Sequence, residues 1–313
     1  MPGETILLIG ASGQIGAELT MLLRSQYGNS NVIAADIKQA EGELFKSGPF
    51  EVLNVLDKAG IAAVADKYKI TQIYNMAAML SATGEKFPQK AWQLNMDGLI
   101  NTLEIAREKG ISKMYWPSSI AAFGPTTPKV DTPQTTIMEP NTIYGISKQA
   151  GERWCEWYYL KYGLDVRSIR YPGIISYKTE PGGGTTDYAV DIYFKAKQTG
   201  KYTCYIAEDT LLPMMYMPDA IKATIQLMDA PAEKIKVRSS YNLAAMTFSP
   251  KMVGAAIKKY IPDFELTYDI DFRQKIAETW PGSIDDSAAR NDWGWQHEYD
   301  LDKMTVDMLK HII

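Results

Sequence analysis

Six short apolar or β-branched runs punctuate the first half of the chain, at residues 5–9, 31–35, 50–55, 72–75, 113–116 and 166–170. Each is nearly continuous in hydrophobicity rather than alternating, as suits parallel strands covered on both faces. Between the first two, Ile15, Leu19, Leu22 and Leu23 form a helical stripe. Trp92, Met96, Leu99, Leu103 and Ala106 do the same between the fourth and fifth. Strands alternating with helices of this length predict right-handed crossovers and a doubly wound parallel sheet of the α/β class. After about residue 174 the rhythm breaks. Residues 181–186 read as a loop, 191–200 as a helix, 211–217 as an extended piece and 219–229 as a helix. Tyr241-Asn242-Leu243 reads as a strand returning to the sheet.

Composition narrows the function classes. The chain has 313 residues, 46% hydrophobic and 22% charged, with 33 basic against 37 acidic side chains. These are figures for a globular protein, and a mildly acidic one is drawn neither to nucleic acid nor to an anionic membrane surface. Two cysteines, Cys155 and Cys204, make no disulfide framework. Two histidines, His297 and His311, make no histidine metal site, so no metal is expected. The start Met1-Pro2-Gly3-Glu4-Thr5 lacks the basic and apolar regions of a signal peptide, and no stretch is long and apolar enough to span a membrane. A cytoplasmic protein is expected.

The first strand runs into Gly10-Ala11-Ser12-Gly13-Gln14-Ile15-Gly16, which opens the first helix. Glycines here permit a tight turn and close backbone approach to a pyrophosphate, which the helix N-terminus favours. Asp36 follows at the end of the second strand. A carboxylate there accepts ribose hydroxyls and repels a 2′-phosphate, so NAD is expected over NADP; Lys38 is a mild counter-signal. The expected organisation is a Rossmann dinucleotide-binding domain over residues 1–174, to which 213–245 return. Residues 175–212 and 246–313 would form a smaller carboxy-terminal substrate-binding domain.

The spacing G-x-x-G-x-x-G resembles short-chain dehydrogenases/reductases of the extended, epimerase-like type. That resemblance implies a Tyr-x-x-x-Lys pair, which Tyr144 and Lys148 meet. Four residues apart on a helix, the two share a face. The ammonium is expected to lower the phenol's pKa so that Tyr144 acts as general base. In Pro117-Ser118-Ser119-Ile120-Ala121-Ala122-Phe123-Gly124 the position matching the family's catalytic Ser or Thr is Ser119. The resemblance further implies cofactor contacts from Gly10, Gly13, Gln14, Ile15 and Gly16, from Asn54 and Val55 around adenine, from Ala77 and Ala78, from Asn95 near the nicotinamide, and from Tyr171. Asn75 stands where the family more often has His, and Asn54 where it places Asp.

Further segments are similar to the short-chain type of L-threonine 3-dehydrogenase. They include Leu80-Ser81-Ala82-Thr83-Gly84-Glu85, Gly182-Gly183-Gly184-Thr185-Thr186-Asp187-Tyr188, Leu212-Pro213-Met214-Met215-Tyr216-Met217-Pro218-Asp219 and the tail from Trp280 to Gly294. The resemblance implies oxidation of the 3-hydroxyl of L-threonine with NAD to 2-amino-3-oxobutanoate. Ser81, Ser119, Tyr144, Thr185, Thr186, Asp187 and Trp280 are the expected substrate contacts. Ser81 and Thr185 would take the carboxylate, Asp187 would sit near the ammonium, and Trp280 would close over the methyl group. Two alternatives share the fold: a nucleotide-sugar epimerase or dehydratase that retains NAD, and a non-enzymatic NAD-sensing regulator. Beyond Tyr144, Ala150-Trp154-Trp157 and Cys155-Tyr158-Tyr162 form two apolar stripes, more than one sheet face covers, and a homodimer is expected.

Overall fold

The computed structural model describes residues 3–39, 41–179 and 182–312. Its strands are β1 (Ile6–Ile9), β2 (Val32–Asp36), β3 (Phe50–Val52), β4 (Gln72–Asn75), β5 (Lys113–Tyr115), β6 (Ser118–Ser119), β7 (Asp165–Arg167), β8 (Ile169–Tyr171), β9 (Gly173–Ile175), β10 (Lys201–Cys204), β11 (Leu212–Tyr216), β12 (Tyr241–Asn242), β13 (Met246–Phe248) and β14 (Glu265–Tyr268). The central sheet has the order β3-β2-β1-β4-β5-β7, parallel throughout. The order reverses between β1 and β4, and ligands of such sheets sit at the carboxyl ends beside that switch point. Loops carrying Gly10, Ala77 and Ser119 leave the sheet at that edge.

The run 166–170 forms two strands rather than one. β7 pairs with β5, whereas β8 pairs with β6 and with β12, so the sheet shifts partners at Ser168. The run also conceals two fully buried arginines, Arg167 and Arg170. Arg167 is satisfied by Asp165 and by the carbonyls of Leu227 and Ala230, each accepting at 2.6 Å. A buried guanidinium persists only with such partners.

Apolar residues fill both sheet faces. On one face Ile6 and Leu8 join Leu19, Leu23, Ile221 and Tyr241. On the other, Leu7 and Ile9 join Leu99, Leu103, Cys155 and Tyr158. The two helical stripes hold except at their edges, where Leu22 and Trp92 are part-exposed. A third cluster gathers Ile175, Tyr188, Tyr193, Tyr216, Phe248 and Met304 around β9, β11 and β13. It draws on residues from both of the expected units. Ile120, Phe123 and Tyr144 pack into this third cluster, while Ala289 and Trp295 pack back against the β1 face. The Tyr188–Thr199 and Met217–Asp229 helices start slightly before their expected positions.

Candidate active site

The turn after β1 is built for close approach. Gly10 has φ +86°, and a Cβ there would lie 2.7 Å from the Ala77 amide nitrogen. A Cβ on Gly16 would meet the Gly10 carbonyl oxygen at 2.1 Å. The following helix, Gln14–Tyr27, begins without a side-chain cap or an acidic residue in its first turn, so its amide dipole faces the cleft uncancelled. Asp36 ends β2, where its Oδ2 accepts from the Ser12 amide at 2.9 Å and its Oδ1 from the Ile37 amide at 2.8 Å. A cavity of about 560 Å³ opens beside it, walled by Gly10, Gly13, Leu53, Val55, Ala77 and Ala78. Apolar walls with one carboxylate at the rim suit an adenosine with a free ribose diol.

The helix Ile143–Tyr162 brings in the reacting groups. Thr142 caps it, Oγ1 accepting from the Gly145 amide at 3.1 Å. The glycine after Tyr144 lets the helix lie against the strand-end segment, since a Cβ on Gly145 would sit 2.2 Å from the Ala121 carbonyl oxygen. Tyr144 and Lys148 consequently face the chain leaving β5. The Ser119 hydroxyl hydrogen-bonds the Tyr144 phenol. Lys148 Nζ donates to the Pro117 carbonyl at 2.5 Å and lies 4.4 Å from the centre of the Trp116 ring.

Electrostatically the pair differs from expectation. Burial pushes the Tyr144 phenol up to about 12, and only the Ser119 hydrogen bond works against this. Burial likewise pushes Lys148 down to about 7, opposed by Cys155 and Glu152. The lysine therefore does not depress the phenol's pKa here. Both groups lose hydration in the same pocket, and desolvation disfavours each charged form. The ammonium is held on the Pro117 carbonyl, with Nζ 5.5 Å from the centre of the phenol ring.

Beyond these groups lies a cleft of about 150 Å³, lined by Gln14, Ile15, Ser81, Tyr171, Thr185, Thr186, Asp187 and Trp280 as well as by Ser119, Tyr144 and Lys148. Ser81 and Thr185, 104 positions apart, share a hydrogen bond of 3.0 Å. The buried Trp280 indole nitrogen has no hydrogen-bond partner among the described residues. Asp187 is committed to the loop: its Oδ2 accepts from the Gly183 and Gly184 amides, both at 2.8 Å. Those bonds give the glycine-rich segment a fixed form, and only Oδ1 remains for an ammonium. Pro181, expected at the start of that loop, lies outside the described residues.

The glycine turn, the Asp36 rim and the Tyr144–Lys148 pair thus lie along one continuous edge. The family model described as the NAD dependent epimerase/dehydratase family matches residues 6–244. The chain belongs to that family. Its relatives include an uncharacterized epimerase/dehydratase of Staphylococcus saprophyticus, 54% identical over 99% of this chain and 97% of the other. Among solved structures, the holo form of an L-threonine dehydrogenase from Cupriavidus necator is 56% identical, with TM-score 0.97 over 99% of this chain and 100% of that one. The L-threonine dehydrogenase from Clostridium difficile is 51% identical, with TM-score 0.96 over 99% of this chain and 97% of that one. A monomeric L-threonine 3-dehydrogenase from a metagenome is 46% identical, with TM-score 0.95 over 98% of each chain.

In this epimerase/dehydratase-family chain several expected contacts sit elsewhere. Asn54 is exposed and folds its own turn, Oδ1 accepting from the Leu56 amide at 3.0 Å, whereas its neighbours Leu53 and Val55 wall the adenosine cavity. Asn95, within a single turn of π-helix, uses its amide on the Met79 backbone and on Ser147 Oγ. It ties the cleft rim to the catalytic helix from behind. Asn75 is buried and bonds Thr102 Oγ1 at 3.1 Å. Tyr171 lines the cleft, but its hydroxyl turns away to Thr224. Met76, Leu80, Pro117, Ile120, Pro172 and Ile174 form apolar wall to which no binding role was assigned from the sequence. Small apolar loop residues carry no periodic signal. Glu152, one helical turn beyond Lys148, was visible by that spacing.

Proposed function

We propose that this chain is an NAD-dependent L-threonine 3-dehydrogenase, a cytoplasmic enzyme that converts the substrate to 2-amino-3-oxobutanoate and NADH. One observation carries the reading. Among the described residues lining the catalytic cleft, the charged side chains are Lys148 and Asp187 alone, and Trp280 is part of its wall. A nucleotide-sugar pyrophosphate needs cations to meet it. A small zwitterion does not.

NAD, when bound, supplies the acceptor for the C3 hydride. Gly10, Gly13 and Gly16 with the Gln14–Tyr27 helix hold its phosphates, and Asp36 its ribose diol. Ser81 and Thr185 present hydroxyls to the threonine carboxylate. Thr186 and the free Asp187 oxygen flank the amino group. Ser119 donates to the substrate 3-hydroxyl oxygen and steers it to Tyr144, which takes its proton as C3 loses hydride. The glycine-rich segment excludes water from this step.

The reading is supported by the likeness to the L-threonine dehydrogenases over nearly the whole chain. It is tested by following NADH at 340 nm (roughly the nicotinamide absorbance band) with L-threonine, L-serine, 3-hydroxybutyrate and UDP-galactose. L-threonine is expected to be the best substrate, and Tyr144→Phe to lower turnover by ~100-fold or more. Best turnover of another compound, or near-wild-type activity of the variant, rejects the reading.

No helix of the described residues is long and apolar enough to cross a membrane. The reading takes a small-molecule substrate, with a second copy of the chain as the expected partner.

A further inference from the structure

The three residues leaving β5 meet the catalytic helix in succession. The Pro117 carbonyl receives Lys148 Nζ, Ser118 Oγ donates to Glu152 Oε1 at 2.6 Å, and Ser119 bonds the Tyr144 phenol. The middle contact is therefore bracketed by two contacts of the proposed reaction. Glu152 is fully buried, and nothing in the chemistry proposed above uses it.

Its second partner comes from the neighbouring strand. Arg170, opposite Ser118 in the parallel ladder, donates Nε to Glu152 Oε1 at 2.9 Å and Nη2 to Oε2 at 2.7 Å. Arg170 is completed by Asn242 Oδ1 at 2.9 Å, the Gln134 carbonyl and the face of Phe123. Ser118, Glu152 and Arg170 thus close a triangle across β6, the helix and β8. A buried ion pair in this setting gives little net stability over an apolar isostere, whereas loss of one partner is costly. Its geometric effect is to fix the position of a strand end against a helix.

We propose that Glu152, held by Arg170, is a positioning residue of the reaction: through Ser118 it fixes Pro117 and Ser119 against Tyr144 and Lys148. The charged and titratable groups around Lys148 and Glu152 are Tyr144, Cys155 and Arg170, with the Trp116 ring and the Pro117 carbonyl completing the lysine's surroundings. Burial pushes the Cys155 thiol up, and Cys155 and Glu152 both oppose the downward shift that burial gives Lys148. A displacement of the Ser119 hydroxyl by a fraction of an ångström reduces turnover without touching the cofactor cavity.

The mechanistic part rests on the proposed dehydrogenase reading, and the test separates the two. Lys148 is titrated by its 13Cε and 15Nζ resonances in lysine-labelled protein, with and without NAD, and threonine oxidation is measured alongside. In Glu152→Gln the Lys148 titration is expected to move to lower pH. Ser118→Ala retains the ion pair, so its Lys148 titration should stay in place. Its kcat should fall about tenfold while KM for NAD stays within about twofold. An unmoved Lys148 titration in a folded Glu152→Gln protein overturns the proposal. So does wild-type kcat in Ser118→Ala, which decides the matter should Glu152→Gln fail to fold. A wild-type protein inactive on threonine rejects the functional reading only, and the lysine titration still judges Glu152.

Discussion

Lys148 and Tyr144 are shifted in opposite directions by one cause, and the consequence is measurable without turnover. Folding lowers the lysine to about 7 from its ordinary 10.5. Between those values the unfolded chain binds more protons than the native one, so the lysine's contribution to stability rises with pH across that window. Folding raises the Tyr144 phenol from 10.0 to about 12, and its contribution therefore falls as pH rises through that range. Lys148→Met removes the first effect and leaves the second. In urea titrations the variant should be more stable than the wild type near pH 7, and this advantage should shrink steadily toward pH 10. A constant difference across the range would show that Lys148 is hydrated in the native state.

The Ile143–Tyr162 helix does two tasks at once. Its amino-terminal turn presents Tyr144 and Lys148, while further along Gly151 and Cys155 pack against the sheet. The presentation depends on the contact between Gly145 and the Ala121 carbonyl. Gly145→Ala improves local helix propensity by up to ~1 kcal/mol. It also forces a Cβ to within 2.2 Å of that oxygen. Overpacking of this kind costs about 1–3 kcal/mol, so the net effect should be a lower Tm and a larger fall in kcat than in NAD affinity. Circular dichroism melts and NAD titration by fluorescence separate the two. A Tm at or above wild type would mean that helix and strand end separate freely. The loop before the Tyr188–Thr199 helix follows similar logic. Asp187→Ala removes the acceptor of two backbone amides, and KM for threonine should rise more than KM for NAD. Equal rises would indicate that the loop orders the cofactor cavity.

At the scale of the whole molecule, the same helix leaves one face uncovered. Trp157 is 45% and Leu160 73% exposed, and Trp154, Trp157, Tyr158 and Tyr162 form a chain of edge-on and tilted ring contacts. A contiguous aromatic face of this kind is typical of the core of a subunit interface. A homodimer about this helix is the expected assembly, although one similar threonine dehydrogenase is described as monomeric. Trp157→Glu should yield a monomer with an intact far-ultraviolet spectrum. Sedimentation velocity at micromolar concentration decides this, and a wild-type monomer would remove the interface.

The alternation of short apolar runs with helical stripes determined the layered α/β architecture, because a parallel sheet buried on both faces leaves that periodicity in any chain that forms it. Gly10, Gly13, Gly16 and Asp36 were readable as candidates for a related reason, since a tight turn, a helix start and a strand end are local geometries; Ser119, Tyr144 and Lys148 were singled out through the family resemblance, the i, i+4 spacing of the pair only agreeing with it. The pairing of Ser81 with Thr185 across 104 positions was legible only through resemblance; no spacing rule connects them. The partner switch at Ser168 and the mixing of residues from both expected units in one cluster were hidden, since strand pairing is a choice among distant segments. Asn54 and Asn95 show the same limit at residue scale. An amide can serve a ligand or its own backbone equally well, and which it serves depends on what packs beside it. The pKa directions of Tyr144 and Lys148 belong wholly to the tertiary structure. Proximity along the helix suggested that the lysine would lower the phenol's pKa, but burial of both, set by residues distant in sequence, was the larger effect.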